Sequence, residues 1–162
     1  MTANIDSACV QRTMDIALAS VKEGGRPFAT VIADEKGNII AEATNQVAQT
    51  HDPTAHAEIE AIRIACRKLE TEHLTNCTFY VLAHPCPMCL AAMYYCSPNK
   101  VVFLTTREDY GKYYKDSRRW FTFETFYNEF GKDYTERNMP TIYHPQEETL
   151  KIYQLWEKLN RK

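Results

Sequence analysis

Two short segments constrain this chain more than anything else in it: His56-Ala57-Glu58 and, further along, Pro85-Cys86-Pro87-Met88-Cys89. Together they supply one imidazole, two thiols and a carboxylate. Three protein ligands with a fourth coordination position left open is the arrangement of a catalytic zinc, whereas a structural zinc is closed by four protein ligands. Zinc brings the pKa of a water in such an open position to about 7, so a nucleophile exists at neutral pH. Glu58 is not needed as a ligand and stands two residues past the histidine, where it can handle that water's protons. Taken alone, C-x-x-C reads equally well as a redox dithiol or half of a zinc finger, and His-x-Glu as an ordinary helix start. The chain has no second C-x-x-C and no H-x-x-x-H to complete a finger. The two segments taken together, each at a helix start, select His56, Cys86 and Cys89 as ligands of Zn2+ and Glu58 as the proton-handling group.

The rest of the composition narrows the setting. A length of 162 residues suits one domain with a real core. A net charge of −2 provides no global field to recruit nucleic acid. No apolar run reaches the roughly 20 residues that span a bilayer. The N-terminus lacks the basic and apolar regions of a secretory signal, so the expected location is cytoplasmic. Of the six cysteines, Cys9, Cys66, Cys77 and Cys96 sit among apolar neighbours and read as buried, reduced thiols.

Periodicity lays out alternating helices and strands. Residues 7–22 form a helix with Val10, Met14, Ala17, Leu18 and Val21 on one face, stopped by Gly24-Gly25. Strands follow at 28–33 and 39–44, partners around a hairpin turn at Glu35-Lys36-Gly37-Asn38. Asp52 and Pro53 open a helix running to about Glu70, with Asp52 as cap and Pro53 in its first turn. A strand at 77–83, a helix at 87–96 and a strand at 100–105 come next. Residues 141–144 are expected as a short fifth strand and 146–159 as a last amphipathic helix carrying Leu150, Tyr153, Trp156 and Leu159. The expected fold is α/β: a three-layer α/β/α sandwich around a mixed, mostly parallel five-stranded sheet. Between Arg107 and Tyr134 aromatics crowd in, among them Tyr110, Tyr113, Tyr114, Trp120, Phe121, Phe123, Phe126, Tyr127 and Phe130. They read as packing on the sheet or on a second subunit.

In this layout the histidine and Cys89 both fall at the starts of helices, so two positive dipole ends converge on one metal and favour thiolate. The strand at 77–83 delivers the cysteines to the carboxyl end of the sheet, where open α/β sheets bind ligands.

The pattern H-x-E…P-C-x-x-C is the signature of zinc nucleobase deaminases, and the chain resembles the cytidine and deoxycytidylate deaminase superfamily over nearly its full length. The residues carrying the resemblance are Arg26 to Ile32, Asn45, Asp52 to Glu58, Ala61-Ile62-Arg63 and Pro85 to Leu90. Within the superfamily the chain looks most like the bacterial guanine deaminases, with transfer-RNA adenosine deaminases and fungal-type cytosine deaminases sharing much of the pattern. The resemblance implies a cytidine deaminase-like fold, hydrolytic deamination of a free nucleobase with guanine foremost, and a homodimer whose C-terminal segment (about 107–162) is exchanged between subunits. It also implies substrate contacts from Phe28, Asn45, Ala57, His84 and Asp116. Phe28 would flank the ring, and the Asn45 amide would offer it both donor and acceptor. Asp116 reads alternatively as a solvated loop acid, and His84 as a loop histidine rather than a pocket residue. Two departures bear on the substrate. His84 stands where the guanine and transfer-RNA enzymes generally have glutamate, and Leu159-Asn160-Arg161-Lys162 lacks the terminal tyrosine that completes the guanine pocket. Isocytosine, cytosine or an aminotriazine is the alternative ring. Transfer-RNA adenosine is the runner-up, but Lys112, Lys115, Arg118 and Arg119, the one candidate basic patch, are interleaved with Glu108, Asp109, Asp116 and Glu124. A non-catalytic zinc-stabilised binding protein is the reading from another class, which the presence of Glu58 opposes.

Overall fold

The computed structural model describes residues 4–160, apart from residues 117, 123, 124 and 147. The chain forms two compact units, Met1–Lys115 and Asp116–Lys162.

The first unit is built around a four-stranded sheet in the order β2-β1-β3-β4. The strands are β1 (Ala29–Ala33), β2 (Ile39–Thr44), β3 (Thr78–Val81) and β4 (Lys100–Phe103). β1 pairs antiparallel with both β2 and β3, and only β3 and β4 run parallel. The sheet is therefore mixed but not mostly parallel. The departure lies in the position of β1 between β2 and β3, antiparallel to both; the β1–β2 hairpin itself follows from the turn after β1. Asp34 Oδ1 accepts from the backbone N–H groups of Lys36 and Asn38, each at 2.9 Å. Gly37 takes φ +82°, a left-handed conformation open to glycine at little cost. A connection that short can only return the chain antiparallel. The expected fifth strand is absent: residues 141–146 carry no regular structure and 141–144 are exposed. Pro140 and Pro145 bracket the segment and remove ladder donors at both ends.

Helices cover both faces of this sheet. Helix α1 (Ser7–Lys22) packs against β1, β2 and β3, and α3 (Ala57–Leu69) packs against β1, β2 and α4 (Pro87–Cys96). The two faces of β1 sort accordingly. Val31 and Ala33 join Cys9 and Tyr80 in one cluster, while Ile32 joins Ala61, Ala65, Phe79, Leu74 and Met93 in the other. The buried stripe of α1 is Cys9, Thr13 and Ala17, not the larger apolar residues, and Leu18 and Val21 are exposed. Thr13 is tolerated there because its hydroxyl donates to the Cys9 carbonyl at 2.8 Å. Phe79, at 0% exposure, anchors the α3 and α4 side. Phe79→Ala is expected to cost about 3–5 kcal/mol in urea unfolding.

The second unit holds α6 (Phe126–Phe130), a 3₁₀ turn at Tyr134–Glu136 and α7 (Thr149–Asn160). Phe121 packs on Phe126 and Phe130 at 4.7 and 5.7 Å between ring centroids. Leu150, Tyr153, Trp156 and Leu159 of α7 are all exposed. Phe123 and Glu124, named above among the aromatics and the interleaved charges, lie outside the described residues, as do Arg161 and Lys162. Among the described residues no helix is long and apolar enough to cross a membrane.

Candidate metal and active site

The register brings one end of the sheet together. Ala29 pairs with Thr44, and Thr30 with Val81. Phe28, Asn45, the segment after β3 and the segment after β4 therefore share one edge. The backbone continues this weave: Asn45 N–H donates to Phe28 O, and His84 N–H to Thr105 O. Asn45 is buried, and its Oδ1 accepts from Val47 N–H at 3.1 Å, starting the single turn α2 (Val47–Thr50). One lone pair is thus committed to the fold.

Helix α3 begins at Ala57, later than Asp52 and Pro53 led us to expect. Asp52 does not cap it. Its Oδ1 accepts from Thr54 N and Oγ1 at 2.8 and 2.7 Å, closing a turn instead. Arg63, reaching back from α3, binds Thr54 Oγ1 at 3.1 Å and pins that turn to the helix. The outcome is that His56 itself becomes the N-cap, with extended φ −67° and ψ 154°. Cys86 is likewise the N-cap of α4, with φ −72°, ψ 166° and Pro87 directly after it. Neither side chain caps its own helix. Both turn toward each other, and Cys89, in the first turn of α4, completes the group.

His56 Nδ1 lies 3.6 Å from Cys86 Sγ and 3.5 Å from Cys89 Sγ, and all three ligand atoms fall within 4.8 Å of one another. A tetrahedral zinc at about 2.3 Å from sulfur and 2.0–2.1 Å from nitrogen separates such atoms by about 3.5–3.6 Å. The donor set and its spacing fit zinc, with His56 bound through Nδ1. Among the described residues this is the one group of metal-ligating side chains of this kind.

The family model for the cytidine and deoxycytidylate deaminase zinc-binding region matches residues 3–105. The chain belongs to that family. The deaminase is 36% identical over 154 residues to the guanine deaminase of Bacillus subtilis, covering 94% of each chain. The solved structure of guanine deaminase from Bacillus subtilis matches it with a TM-score of 0.87 at 35% identity over 98% of each chain. A transfer-RNA-specific adenosine deaminase from Aquifex aeolicus is 40% identical over 95 residues, 59% of this chain and 62% of that one. The deaminase is thus a zinc aminohydrolase, and the His56, Cys86 and Cys89 cluster is its metal centre.

Glu58, one residue into α3, is buried beside the Cys86 and Cys89 thiols. Burial raises its pKa above the ordinary carboxylate value, and the nearby Cys86 charge adds to the rise. From protein charges alone the two thiols divide unequally. The Cys89 S–H bond holds Cys86 down to about 4, and the same bond together with burial pushes Cys89 up. A cation between them removes that competition and favours both as thiolates. Ala57, fully buried between ligand and acid, places its backbone at the helix N-terminus.

Phe28, at the same end of the sheet, packs against a segment that carried no motif. Tyr110 and Tyr114 stand edge-on to Phe28, at 5.9 and 4.8 Å between centroids. Tyr110 closes α5 (Arg107–Tyr110). Burial first, and then the Cys86 and Glu58 charges, push its hydroxyl up to about 12. Arg107 Nη2 donates to His84 Nδ1 at 2.9 Å and also hydrogen-bonds Tyr110. The half-buried His84 ring meets Phe103 edge-on at 4.9 Å. Sequence reasoning passed over Arg107, and Tyr110 and Tyr114 registered only as packing. The available signal was position: Thr106-Arg107 follows β4 at its carboxyl end. Asp116 opens the second unit, where Arg118 Nη2 binds its Oδ2 at 3.1 Å.

Cys9, Cys77 and Cys96 are buried, Cys66 is half-buried, and all six thiols are free. Lys112 is paired with Asp109 and Arg118 with Asp116, so the mixed-charge reading of that stretch fits the structure.

Proposed function

We propose that the protein hydrolyses the amino group from a free nucleobase, guanine foremost, releasing ammonia. The observation that carries this reading is the buried Glu58 carboxylate held beside Cys89 in a three-ligand zinc centre. Zinc, when bound, supplies a water acidified to a pKa of about 7. Glu58 takes up the proton which that water loses on attack. It passes that proton to the ring nitrogen beside the amino carbon, takes the second proton from the hydroxyl now on that carbon as the carbonyl forms, and gives it to the departing amine. One carboxylate serves as base and acid within a cycle because water and leaving group occupy the same corner. Phe28 flanks the ring, the Asn45 amide donates to it, and the Ala57 backbone borders it. Full-length likeness to a guanine deaminase supports guanine; isocytosine is the closest chemical alternative, sharing an amino carbon between two ring nitrogens and an oxo group.

A homodimer is part of this reading, supported by the exposed apolar side of α7, with the C-terminal segment contributing to the partner's surface. Asp116 would then act on substrate through that segment. Six free thiols support a reducing, cytoplasmic setting. The test is ammonia release from guanine, isocytosine, cytosine, adenine and aminotriazines, with guanosine and transfer RNA alongside. Turnover of free bases is expected. Turnover of nucleoside or RNA alone would overturn the free-base reading, and RNA binding that weakens steeply with salt would point to the transfer-RNA alternative.

A further inference from the structure

We propose that Arg63 is a positioning residue for the metal ligand His56, acting through Thr54 on the turn that delivers it. That role concerns the zinc centre and holds whichever ring is deaminated. His56 caps α3 through its backbone, and its imidazole turns away from the helix toward Cys86 and Cys89. The placing of that ring therefore depends on the chain that leads into the cap. Two backbone bonds hold this chain. Gln46 N–H donates to Ala55 O at 2.9 Å, which anchors the turn beside the end of β2. His56 N–H donates to Thr54 O at 2.7 Å, which ties the ligand's own backbone to Thr54. Whatever holds Thr54 thus holds His56, and with it Glu58 two residues further on.

Arg63 is the group that holds Thr54 from the helix. His56, Glu60 and Arg63 follow the i, i+4, i+7 spacing that places residues on one helix face. Long helical side chains lean toward the N-terminus, and the Arg63 side chain runs back along this face to the turn. Its Nη2 donates to Thr54 Oγ1 at 3.1 Å, while Nη1 donates to Glu60 Oε1 and lies 3.6 Å from Asp52 Oδ2. A guanidinium only donates. The Thr54 hydroxyl therefore accepts from Arg63 and gives its own hydrogen to Asp52 Oδ1, at 2.7 Å. The bonds run in one direction, from Arg63 to Thr54 to Asp52, and lock helix and turn together. The Arg63 and Asp52 side chains are each 38% exposed. Ion pairs at such exposure add little to global stability, so the network acts locally, on the ligand. Groups that orient a metal ligand from behind change metal affinity or activity about 10–100-fold when removed.

Two substitutions break the same link from opposite ends. Arg63→Met keeps the length of the side chain without its donors, and Thr54→Val keeps the shape without the hydroxyl. For each, zinc affinity measured by chelator competition is expected to fall about 10–100-fold. The visible absorption of the cobalt-substituted protein, which reports geometry at the metal, should shift in both. The metal-free variants should melt within about 4 °C of the metal-free unmodified protein. The double variant should bind zinc no more weakly than the weaker single one, since either change already removes the shared bond. Arg63→Lys should recover part of the affinity, because an ammonium can reach one acceptor but cannot fork between several. Thr54 is exposed, so Thr54→Val tests the link even where Arg63→Met fails to fold. Unchanged zinc affinity and an unchanged cobalt spectrum in Thr54→Val would overturn the proposal. A melting loss well beyond about 4 °C in metal-free Thr54→Val would also overturn it, by assigning the link to general folding. Failure of every free base to turn over would sink the proposed function and leave these metal measurements standing.

Discussion

Glu58→Gln is expected to lower ammonia release by about 10²–10⁴-fold, the range for a lost general acid–base group, while zinc content stays unchanged. The geometry separates the two roles. The ligand atoms are His56 Nδ1 and the sulfurs of Cys86 and Cys89, and Glu58 is not one of them. Its buried carboxylate stands beside the Cys89 side chain. Glutamine keeps the volume, so α3 and the metal should be undisturbed. What it lacks is the capacity to accept and return a proton. Metal analysis and the ammonia assay on one preparation check this directly. Full activity in Glu58→Gln would remove the proposed mechanism, and loss of zinc would show that Glu58 holds the centre together.

Cys89→Ala acts on the other half of the site. Cys89 is 0% exposed and meets both His56 and Glu58. Its removal leaves two ligands, too few for a zinc centre of this class. Zinc should fall from about one per chain to near zero, and ammonia release should fall below detection. Stability should fall as well. His56 and Cys86 are the N-caps of α3 and α4, so the metal joins two helix starts that otherwise rely on packing. A ligand that binds only the folded chain adds RT ln(1 + [L]/Kd) to its stability, about 4 kcal/mol at a thousandfold excess over Kd. Thermal melts with and without chelator should therefore differ for the unmodified protein and coincide for Cys89→Ala. Cys66→Ala, which removes a half-buried thiol outside the metal centre, should keep its zinc. Coincident melts for the unmodified protein would mean the metal does not couple these helices.

The metal centre was legible in the sequence because its chemistry is packed into two contiguous segments whose residue types admit few other uses. The helix carrying His56 was legible too, but not its start. Asp52 had two candidate partners, a helix N-terminus and Thr54, and the local turn won. That shift turns His56 from a first-turn residue into the cap. The hairpin at 35–38 was legible and does set β1 and β2 antiparallel; strand direction was misjudged at β3, which pairs antiparallel with β1 because β1 lies between β2 and β3. The face of α1 was misjudged because large apolar residues were assumed to point inward, whereas Cys9, Thr13 and Ala17 allow closer approach to the sheet. The α5 segment was illegible for a different reason. Four residues carry no usable period, and Arg107 gains its meaning only from His84 and Tyr110, which the fold brings to it.

The fate of one oxygen tests hydrolytic deamination most directly. Zinc-loaded protein, incubated with guanine in ¹⁸O-labelled water, should release one ammonia for each xanthine formed. Every xanthine should carry a single label at the carbon that lost its nitrogen. Ammonia released without label in the product, or no turnover of any free base by fully zinc-loaded protein, would contradict it.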